Sequence, residues 1–466
     1  MSGSPAGGIH AASFRDPSGF VFTRDEVLYR QVNQAYRQHL DLLLSSGLYE
    51  RLVETGQLIP HEVVDVPPPQ PERAYRILKP EPVRFVSYPY EWCFGQLKDA
   101  ALTTLAIQSA ALEHGMSLKD ASAYNVQFHR GRPILIDTLS FEAYREGQPW
   151  VAYRQFCQHF LAPLALMAHT DVRLGQLLRV YLDGIPLDLA SRLLPGRTRL
   201  NPGLAMHVHL HARAQQSSTG RRARSGPSSG MGRTALLGLI DSLRSAVEKL
   251  TWDPQATPWS DYYQECSYSS QALEHKQQLV RQYLEAIHPR TVWDLGANTG
   301  TFSHTATGLG AFAVAFDSDP GAVETCYRAC RDARDANLMP LLLDLTNPSP
   351  GLGWELAERA SFLDRGPADT VLALALVHHL AIANNSPLAR IAAFLAKLGD
   401  SLIIEWVPRS DPQVQRMLTT REDIFDEYTR EAFERAFSRH FRITCHSEVE
   451  DTGRILYAMH RPDDSV

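Results

Sequence analysis

TVWDLGANTGTF, residues Thr291–Phe302, has the pattern of a buried strand that runs directly into a glycine turn. Turns of this kind bind nucleotides, and each class has its own spacing. A P-loop ends in Gly-Lys-Ser/Thr, which does not follow here. A dinucleotide fingerprint that starts at Gly296 needs two further glycines, but the chain has Asn298 and Thr301 there. The stretch therefore predicts a tight turn beside a ligand that does not place a pyrophosphate against it.

Around this stretch, short apolar runs alternate with helical patterns, which is typical of a parallel sheet with crossover helices. Asp319 and Pro320 predict a helix start, because an N-cap carboxylate precedes a proline at the first helical position. The last residues predict an antiparallel hairpin across Asp451–Gly453. The predicted strands are Thr291–Leu295, Phe312–Phe316, Met339–Leu343, Asp369–Ala375 and Ser401–Trp406, and the predicted helices lie near Phe302–Gly308, Gly321–Arg334 and Pro387–Leu398.

The segment VWDLGANTG, residues 292–300, resembles motif I of the class I S-adenosylmethionine-dependent methyltransferases, in the variant with Gly-Ala-Asn in place of the second glycine. The resemblance implies an α/β, Rossmann-like domain with a mostly parallel seven-stranded sheet. It also implies S-adenosyl-L-methionine as the cofactor. This ligand has an amino-acid tail where NAD has phosphates, so the turn can accommodate a side chain at Asn298.

The resemblance assigns cofactor-binding roles to residues on successive strand ends, where open α/β sheets bind their ligands. A carboxylate at Asp317 can accept hydrogen bonds from both ribose hydroxyls. Asp344 stands where the family commonly contacts the adenine amino group, and the residues of the first turn would line the methionine tail. The implied cofactor-binding residues are Asp294, Gly296, Asn298, Gly300, Asp317 and Asp344. Tyr262, Tyr263 and Tyr268 either fold over the cofactor or belong to the core.

Methyl transfer is an in-line displacement, for which the protein provides alignment and, where the acceptor requires it, a base. The candidate bases are His378, His379 and Glu405, at or near the ends of the fourth and fifth predicted strands. An imidazole of near-neutral pKa can deprotonate a hydroxyl or an amine. The alternative for each histidine is a helix N-terminal residue that bonds to the backbone. The tetrapeptide Asp/Asn-Pro-Pro-Tyr of amino-group DNA methyltransferases is absent, so we expect a small-molecule or protein acceptor.

The segment Ser217–Thr234 is rich in Ser, Gly and Arg and has almost nothing apolar to bury, which predicts a flexible linker. It divides the chain into an N-terminal accessory domain, residues 1–215, a linker, residues 216–234, and a methyltransferase domain, residues 235–466. An alternative function for the arginines of this linker is a basic docking strip.

The N-terminal half is expected to be an α+β accessory domain. The stretch Ala12–Phe22 predicts two short strands around a Pro-Ser-Gly turn. The segment Ala74–Val86 is strand-like, and a long helical pattern then stops at Gly115. The default role of such a domain is to recognise the acceptor and to close over the methyltransferase site.

A later segment, Leu118–Glu142, resembles the catalytic segment of the protein-kinase-like superfamily, which includes the aminoglycoside phosphotransferases. The resemblance implies that Asp120 is the base, that Asn125 and Asp137 bind magnesium, and that Lys79 meets the phosphates. The sequence departs from the family pattern, because no histidine precedes Asp120 and no glycine-rich loop lies upstream. A kinase-like shape without phosphotransfer is therefore an open alternative.

Composition and charge argue against several classes of function. The net charge of −6 and the pI of about 6.3 do not fit a general nucleic-acid binder. The sequence has neither an apolar run of roughly 18 residues nor a secretory signal pattern, so we expect a cytoplasmic protein without a membrane partner. The six cysteines form no C-x-x-C pair, and the histidines of MHVHLHAR, residues 206–213, are expected on a helix. No metal site is therefore predicted, and Cys326 and Cys330 are expected to pack in the core. The sequence leaves the oligomeric state open.

The leading hypothesis is a cytoplasmic S-adenosylmethionine-dependent methyltransferase with an N-terminal accessory domain. One alternative is a bifunctional protein whose N-terminal half also transfers phosphate. The other alternative is a non-catalytic scaffold that binds the cofactor or a partner. ATP binding by the N-terminal half would favour the bifunctional protein, and cofactor binding without S-adenosylhomocysteine formation would favour the scaffold.

Overall fold

The computed structural model describes residues 8–213, 231–254, 269–419 and 422–462. Contacts divide the chain into two compact units, and a short segment of the C-terminal half belongs with the first unit. The first unit is Met1–Trp252 with Leu352–Arg359, and the second unit is Asp253–Gly351 with Ala360–Val466.

The first unit combines a small antiparallel sheet with several helices. Its strands are β1 (Gly19–Arg24), β2 (Val27–Asn33), β3 (His61–Val64), β4 (Ala74–Pro80), β5 (Met116–Leu118), β6 (Val126–His129), β7 (Arg132–Leu135) and β8 (Phe141–Ala143). The first four strands form an antiparallel sheet in the order β1-β2-β4-β3, and β5–β8 and β6–β7 form two antiparallel pairs. Its helices are α1 (Arg37–Ser45), α2 (Leu48–Glu54), α3 (Phe94–Glu113), α4 (Tyr153–Phe156), α5 (Ala162–His169), α6 (Leu177–Val180), α7 (Leu187–Leu193), α8 (Pro202–Leu204) and α9 (Arg233–Glu248).

The local sequence patterns predicted part of this unit correctly. The helix expected to stop at Gly115 is α3, and the strand-like segment contains β4. The strand pair expected around a Pro-Ser-Gly turn was wrong, because only β1 forms there and it pairs with β2. The hairpin turns instead at Asp25 and Glu26, which both have positive φ. The apolar alternation that makes a strand begins only with the buried Phe20.

Two sequence-based predictions involve residues outside the described ranges. These are residues 216–230 of the predicted linker and the three tyrosines Tyr262, Tyr263 and Tyr268. The domain boundaries at 215 and 235 also stay predictions. Helix α9, which follows the predicted linker, packs against α3 of the first unit.

The second unit is a seven-stranded sheet that confirms the predicted architecture. Its strands are β9 (Thr291–Leu295), β10 (Phe312–Asp317), β11 (Leu338–Leu342), β12 (Ala368–Ala373), β13 (Gly399–Trp406), β14 (Arg442–Glu448) and β15 (Ile455–His460). The sheet order is β11-β10-β9-β12-β13-β15-β14. The first five strands are parallel, and β15 runs antiparallel to both of its neighbours. Counted within this unit the order is 3-2-1-4-5-7-6, whose first five strands have the order of a Rossmann-like sheet.

Helices cover this sheet and carry much of its core. They are α10 (Ser270–Ile287), α11 (Thr301–Gly308), α12 (Pro320–Ala333), α13 (Leu388–Leu395), α14 (Pro412–Thr419) and α15 (Arg430–Phe437). The predicted N-cap is confirmed, since the Asp319 carboxylate accepts the backbone N–H groups of Gly321 and Ala322 at 2.7 and 3.4 Å. Cys326 and Cys330 are buried in the apolar core, as expected for packing residues.

The histidine-rich segment also has the predicted helical form, in a π-helical stretch over Ala205–Leu210. Two of its three histidines bind hydroxyl groups. His207 contacts Tyr153 and Ser242, and His209 contacts the hydroxyl groups of Ser191 and Thr198. Within the described ranges, no helix combines the length and the apolar character needed to cross a bilayer.

Candidate functional site

The turn after β9 has a conformation that depends on its residue types. Gly296, Asn298 and Gly300 all have positive φ, at 75°, 51° and 87°. Glycine and asparagine are the residues that adopt this region most readily. The backbone N–H groups of Gly296 and Ala297 both donate to the Phe316 carbonyl, at 2.8 and 2.9 Å. The turn is therefore fixed against the carboxyl end of β10.

Asp317, the last residue of β10, receives hydrogen bonds on both carboxylate oxygens. Asn298 N–H donates to Oδ2 at 2.7 Å and Asp319 N–H donates to Oδ1 at 2.9 Å. Burial raises the pKa of Asp317, and these backbone bonds oppose that effect. Because each carboxylate oxygen has two lone pairs, Asp317 can accept further hydrogen bonds from a ligand.

Asp294, near the end of β9, is a buried acid whose carboxylate accepts a hydrogen bond from the Ser303 hydroxyl at 2.6 Å. Burial raises its pKa to about 6, the Ser303 bond lowers it, and the nearby Asp317 carboxylate adds to the rise. At neutral pH, Asp294 is therefore mostly ionised and suited to pair with a cation.

These residues surround a cavity of about 260 Å³ at the carboxyl ends of the parallel strands. Five of the six residues that the sequence predicted to bind the cofactor line this cavity: Asp294, Gly296, Asn298, Asp317 and Asp344. Its apolar wall is formed by Phe302, Leu343, Leu374, Leu376 and Leu380. A mostly apolar pocket with a few converging polar groups is the usual form of a small-molecule site.

Gly300 and Asp344 take different positions from the other predicted residues. Gly300 is outside the cavity lining, and a Cβ atom there would lie 2.6 Å from Cys326 Sγ. It shapes the turn and lets α12 pack closely. Asp344 is an exposed lining residue, and its carboxylate accepts bonds from the Thr346 backbone and hydroxyl at 2.8 and 2.7 Å.

The two candidate histidines lie in different environments. His379 lines the cavity, and burial, followed by the Arg454 charge, lowers its pKa to about 4. His378 is fully buried and is not among the lining residues. Neither ring nitrogen of His378 has a hydrogen-bond partner within the described part of the chain. Burial, with the adjacent His379 and the Arg454 charge next, lowers the pKa of His378 well below its usual value.

Glu405 is fully buried and binds three partners. Its Oε2 accepts the Lys276 ammonium at 2.8 Å and the Ala375 N–H at 2.7 Å. Its Oε1 lies 3.8 Å from Arg454, which also pairs with Asp411 at 2.8 Å. Glu405 does not line the cavity, so it can act on the site by positioning Lys276 but not by direct contact with a ligand.

Lys276, which the sequence-based reasoning missed, does line the cavity. It lies on α10, whose other buried residues include Ala272, Leu279, Val280 and Tyr283. A lysine at a position where helical periodicity requires an apolar residue is a signal that could have identified it.

Comparison with known proteins assigns the family. Nodulation protein NoeA of Rhizobium meliloti (strain 1021) is 37% identical over 478 residues, which cover 99% of this chain and 98% of the relative. The chain belongs to the NoeA family. No family model matches the sequence of this NoeA-family chain.

Two solved structures show weaker likeness to this NoeA-family chain. Magnesium protoporphyrin IX methyltransferase ChlM from Synechocystis PCC 6803, with bound SAH, is 18% identical with a TM-score of 0.31, over 43% of this chain and 92% of its own. The N-methyltransferase NodS from Bradyrhizobium japonicum WM9 is 10% identical with a TM-score of 0.30, over 42% and 99%. At these scores the likenesses carry no functional weight, and the fold assignment rests on the strand order.

In the N-terminal unit of this NoeA-family chain, Asp120 and Asp137 lie near each other, beside the predicted hairpin β6–β7. Asp137 forms an ion pair with Arg30. Burial acts to raise the pKa of Asp137, but the Arg30 charge and the bonds from Ser140 and Arg30 lower it overall. Burial raises the pKa of Asp120, which receives hydrogen bonds from the Ser122 backbone and the Asn125 side chain.

The lysines expected near these carboxylates have other environments. Lys79 is exposed on β4. Lys119 donates to the Ser18 hydroxyl at 3.0 Å and lies 3.7 Å from Asp16. The phosphotransferase resemblance of the NoeA-family chain therefore stays a prediction.

Proposed function

We propose that this NoeA-family chain is an S-adenosylmethionine-dependent methyltransferase whose acceptor is a small molecule or a protein. The observation that carries the proposal is the cavity at the carboxyl ends of β9, β10 and β11, where three acids and a left-handed turn converge. The full-length similarity to a nodulation protein supports a role in the same process.

The residues present fit the cofactor chemically. Asp294 can pair with the ammonium of a methionine tail, and Asp317 can accept from two ribose hydroxyls. Asp344, at the rim, can accept from an adenine amino group. Asn298 lines the cavity, and its backbone N–H group donates to the Asp317 carboxylate and helps to hold it in place. When bound, S-adenosylmethionine supplies an electrophilic methyl group on its sulfonium.

The candidate bases take different roles in this proposal. His379 borders the cavity and is neutral at pH 7, because its pKa is lowered to about 4. A base works best when its pKa lies near the working pH, so His379 is better suited to orient the acceptor than to remove a proton beforehand. Glu405 acts as a positioning residue for Lys276, and His378 is a buried packing residue.

The experiment is a calorimetric titration of the full chain with S-adenosylmethionine and S-adenosylhomocysteine. We expect Asp317→Ala to weaken binding at least tenfold, because charge-assisted hydrogen bonds contribute about 1.5–3 kcal/mol each. The matched control is Asp332→Ala, which removes an exposed acid of α12 and should leave affinity unchanged. A wild-type chain that binds neither ligand would contradict the proposal.

Turnover distinguishes an enzyme from a scaffold. The chain is incubated with S-adenosylmethionine and fractions of a cell extract, and S-adenosylhomocysteine is measured by mass spectrometry. We expect product from at least one fraction with the wild type and none with Asp317→Ala. If the chain binds S-adenosylmethionine but no fraction yields S-adenosylhomocysteine, the result would favour the scaffold.

We do not extend the proposal to phosphotransfer. A kinase-like magnesium site would need the Asp137 carboxylate as a ligand. The Arg30 guanidinium already binds this carboxylate. No observation within the described residues favours nucleotide binding by this unit.

A further inference from the structure

The cavity of the second unit contains one charge that the proposed function has not yet used. Lys276 is 2% exposed, and it is the only cationic side chain among the described residues that line the cavity. The acids on the lining are Asp294, Asp317 and Asp344. The imidazole of His379 is neutral at pH 7. If a ligand carries both a positive and a negative group, Lys276 would therefore attract its negative group.

Neighbours on two sides fix the position of the Lys276 ammonium. Glu405 accepts it at 2.8 Å, and the ammonium lies 4.9 Å from the centroid of the Phe302 ring. The Glu405 carboxylate is in turn held by the Ala375 N–H and by Arg454. The charge therefore stays at the cavity wall before any ligand arrives, which lowers the ordering cost of binding.

Stability is a weak explanation for this buried pair. Replacing a buried ion pair by apolar residues of similar volume is often neutral or stabilising. The same face of α10 is otherwise apolar, so a hydrophobic residue would continue its packing. A lysine that borders a cavity, and is held there by a dedicated carboxylate, is better explained by a ligand anion.

We propose that Lys276 binds the carboxylate of the cofactor's methionyl tail, while Asp294 binds the ammonium of the same tail. The inference rests on the proposed function and deepens it. The site then recognises an intact α-amino acid group rather than the adenosine part alone. Glu405 is a positioning residue that holds Lys276 for this contact.

The test compares three ligands by calorimetric titration: S-adenosylmethionine, decarboxylated S-adenosylmethionine and 5′-methylthioadenosine. We expect the wild type to bind the decarboxylated ligand at least tenfold more weakly than S-adenosylmethionine, because one charge-assisted contact is lost. Lys276→Met should weaken S-adenosylmethionine binding at least tenfold. It should change the affinity for the other two ligands by less than twofold, since neither has the carboxylate.

Two further variants keep the test valid if Lys276→Met folds poorly. Lys276→Arg retains the charge and should retain the preference for the carboxylate. The double variant Lys276→Met with Glu405→Gln removes both buried charges and should bind S-adenosylmethionine and decarboxylated S-adenosylmethionine with similar affinity. Circular dichroism and thermal unfolding report folding in each case.

The outcomes separate the two proposals. Equal losses on all three ligands in the folded variants would mean that Lys276 is only structural and would overturn the inference. A wild type that binds S-adenosylmethionine and its decarboxylated form equally would also overturn it while leaving the methyltransferase proposal intact. Failure of the wild type to bind any of them would reject the proposed function itself.

Discussion

Gly300→Ala tests how tightly the turn after β9 packs. Gly300 has a φ of +87°, and a Cβ atom there would lie 2.6 Å from Cys326 Sγ and 3.7 Å from Leu338 Cδ2. The left-handed conformation costs a non-glycine residue roughly 1–2 kcal/mol. Overpacking a tight contact costs about 1–3 kcal/mol. We therefore expect a loss of about 2–5 kcal/mol, a large share of the roughly 5–15 kcal/mol of a typical domain.

The assay is hydrogen–deuterium exchange of peptides from β9 and β10 in increasing urea, which reports this sheet rather than the whole chain. A double-mutant cycle with Cys326→Ala separates the two causes. Removing the sulfur relieves the steric contact but leaves the backbone strain. In the Cys326→Ala background, Gly300→Ala should therefore cost only about 1–2 kcal/mol.

Two results would refute this reasoning. An effect of Gly300→Ala that is the same with and without Cys326 would mean that the close contact is absent. A negligible effect in both backgrounds would mean that the backbone is not left-handed there. Because Gly300 is outside the cavity lining, the folded Gly300→Ala protein should lose less cofactor affinity than Asp317→Ala.

Three further predictions concern single side chains. Below pH 6, Asp294 becomes protonated, so affinity for S-adenosylmethionine should fall by up to about tenfold per pH unit. Calorimetric titrations of Asp294→Asn should not show this dependence of affinity on pH. Asn298→Gly should change unfolding free energy by less than about 1 kcal/mol, since relief of the left-handed backbone offsets loss of the side-chain bond to Thr299; a larger change in urea unfolding would contradict this. Arg30→Leu should destabilise the first unit by about 3 kcal/mol at pH 7, because Asp137 loses its partner. Since the pKa of Asp137 is lowered in the folded state, this difference should shrink as pH falls below about 4, and a pH-independent difference in thermal unfolding would exclude the mechanism.

Most of the second unit could be predicted from local sequence. Strand β9 has the predicted bounds, and the ends of the other strands differ by one or two residues. Parallel strands buried on both faces are continuous apolar runs, so their positions are visible in the sequence. The start of α12 is equally local, because Asp319 and Pro320 act within one turn.

The positions of the three acids at this edge of the sheet were also predictable. Asp294, Asp317 and Asp344 lie at or just beyond the ends of parallel strands, which share one edge of the sheet. Fold class alone therefore brings them to the same cavity. The first hairpin was mispredicted, because β1 alternates apolar residues only from Phe20 onward and its partner lies downstream.

The sequence by itself determined the sheet, its turn and the acids along its edge, because these depend on local patterns and on a general rule of parallel sheets. Only the tertiary structure decided the role of the remaining charged groups. Glu405 meets Lys276 across 129 residues, and Arg30 meets Asp137 across 107 residues. A side chain's protonation and availability depend on its burial and on the charges that folding brings beside it. Those partners lie far away in sequence, so no local pattern could show that Glu405 holds a lysine in place.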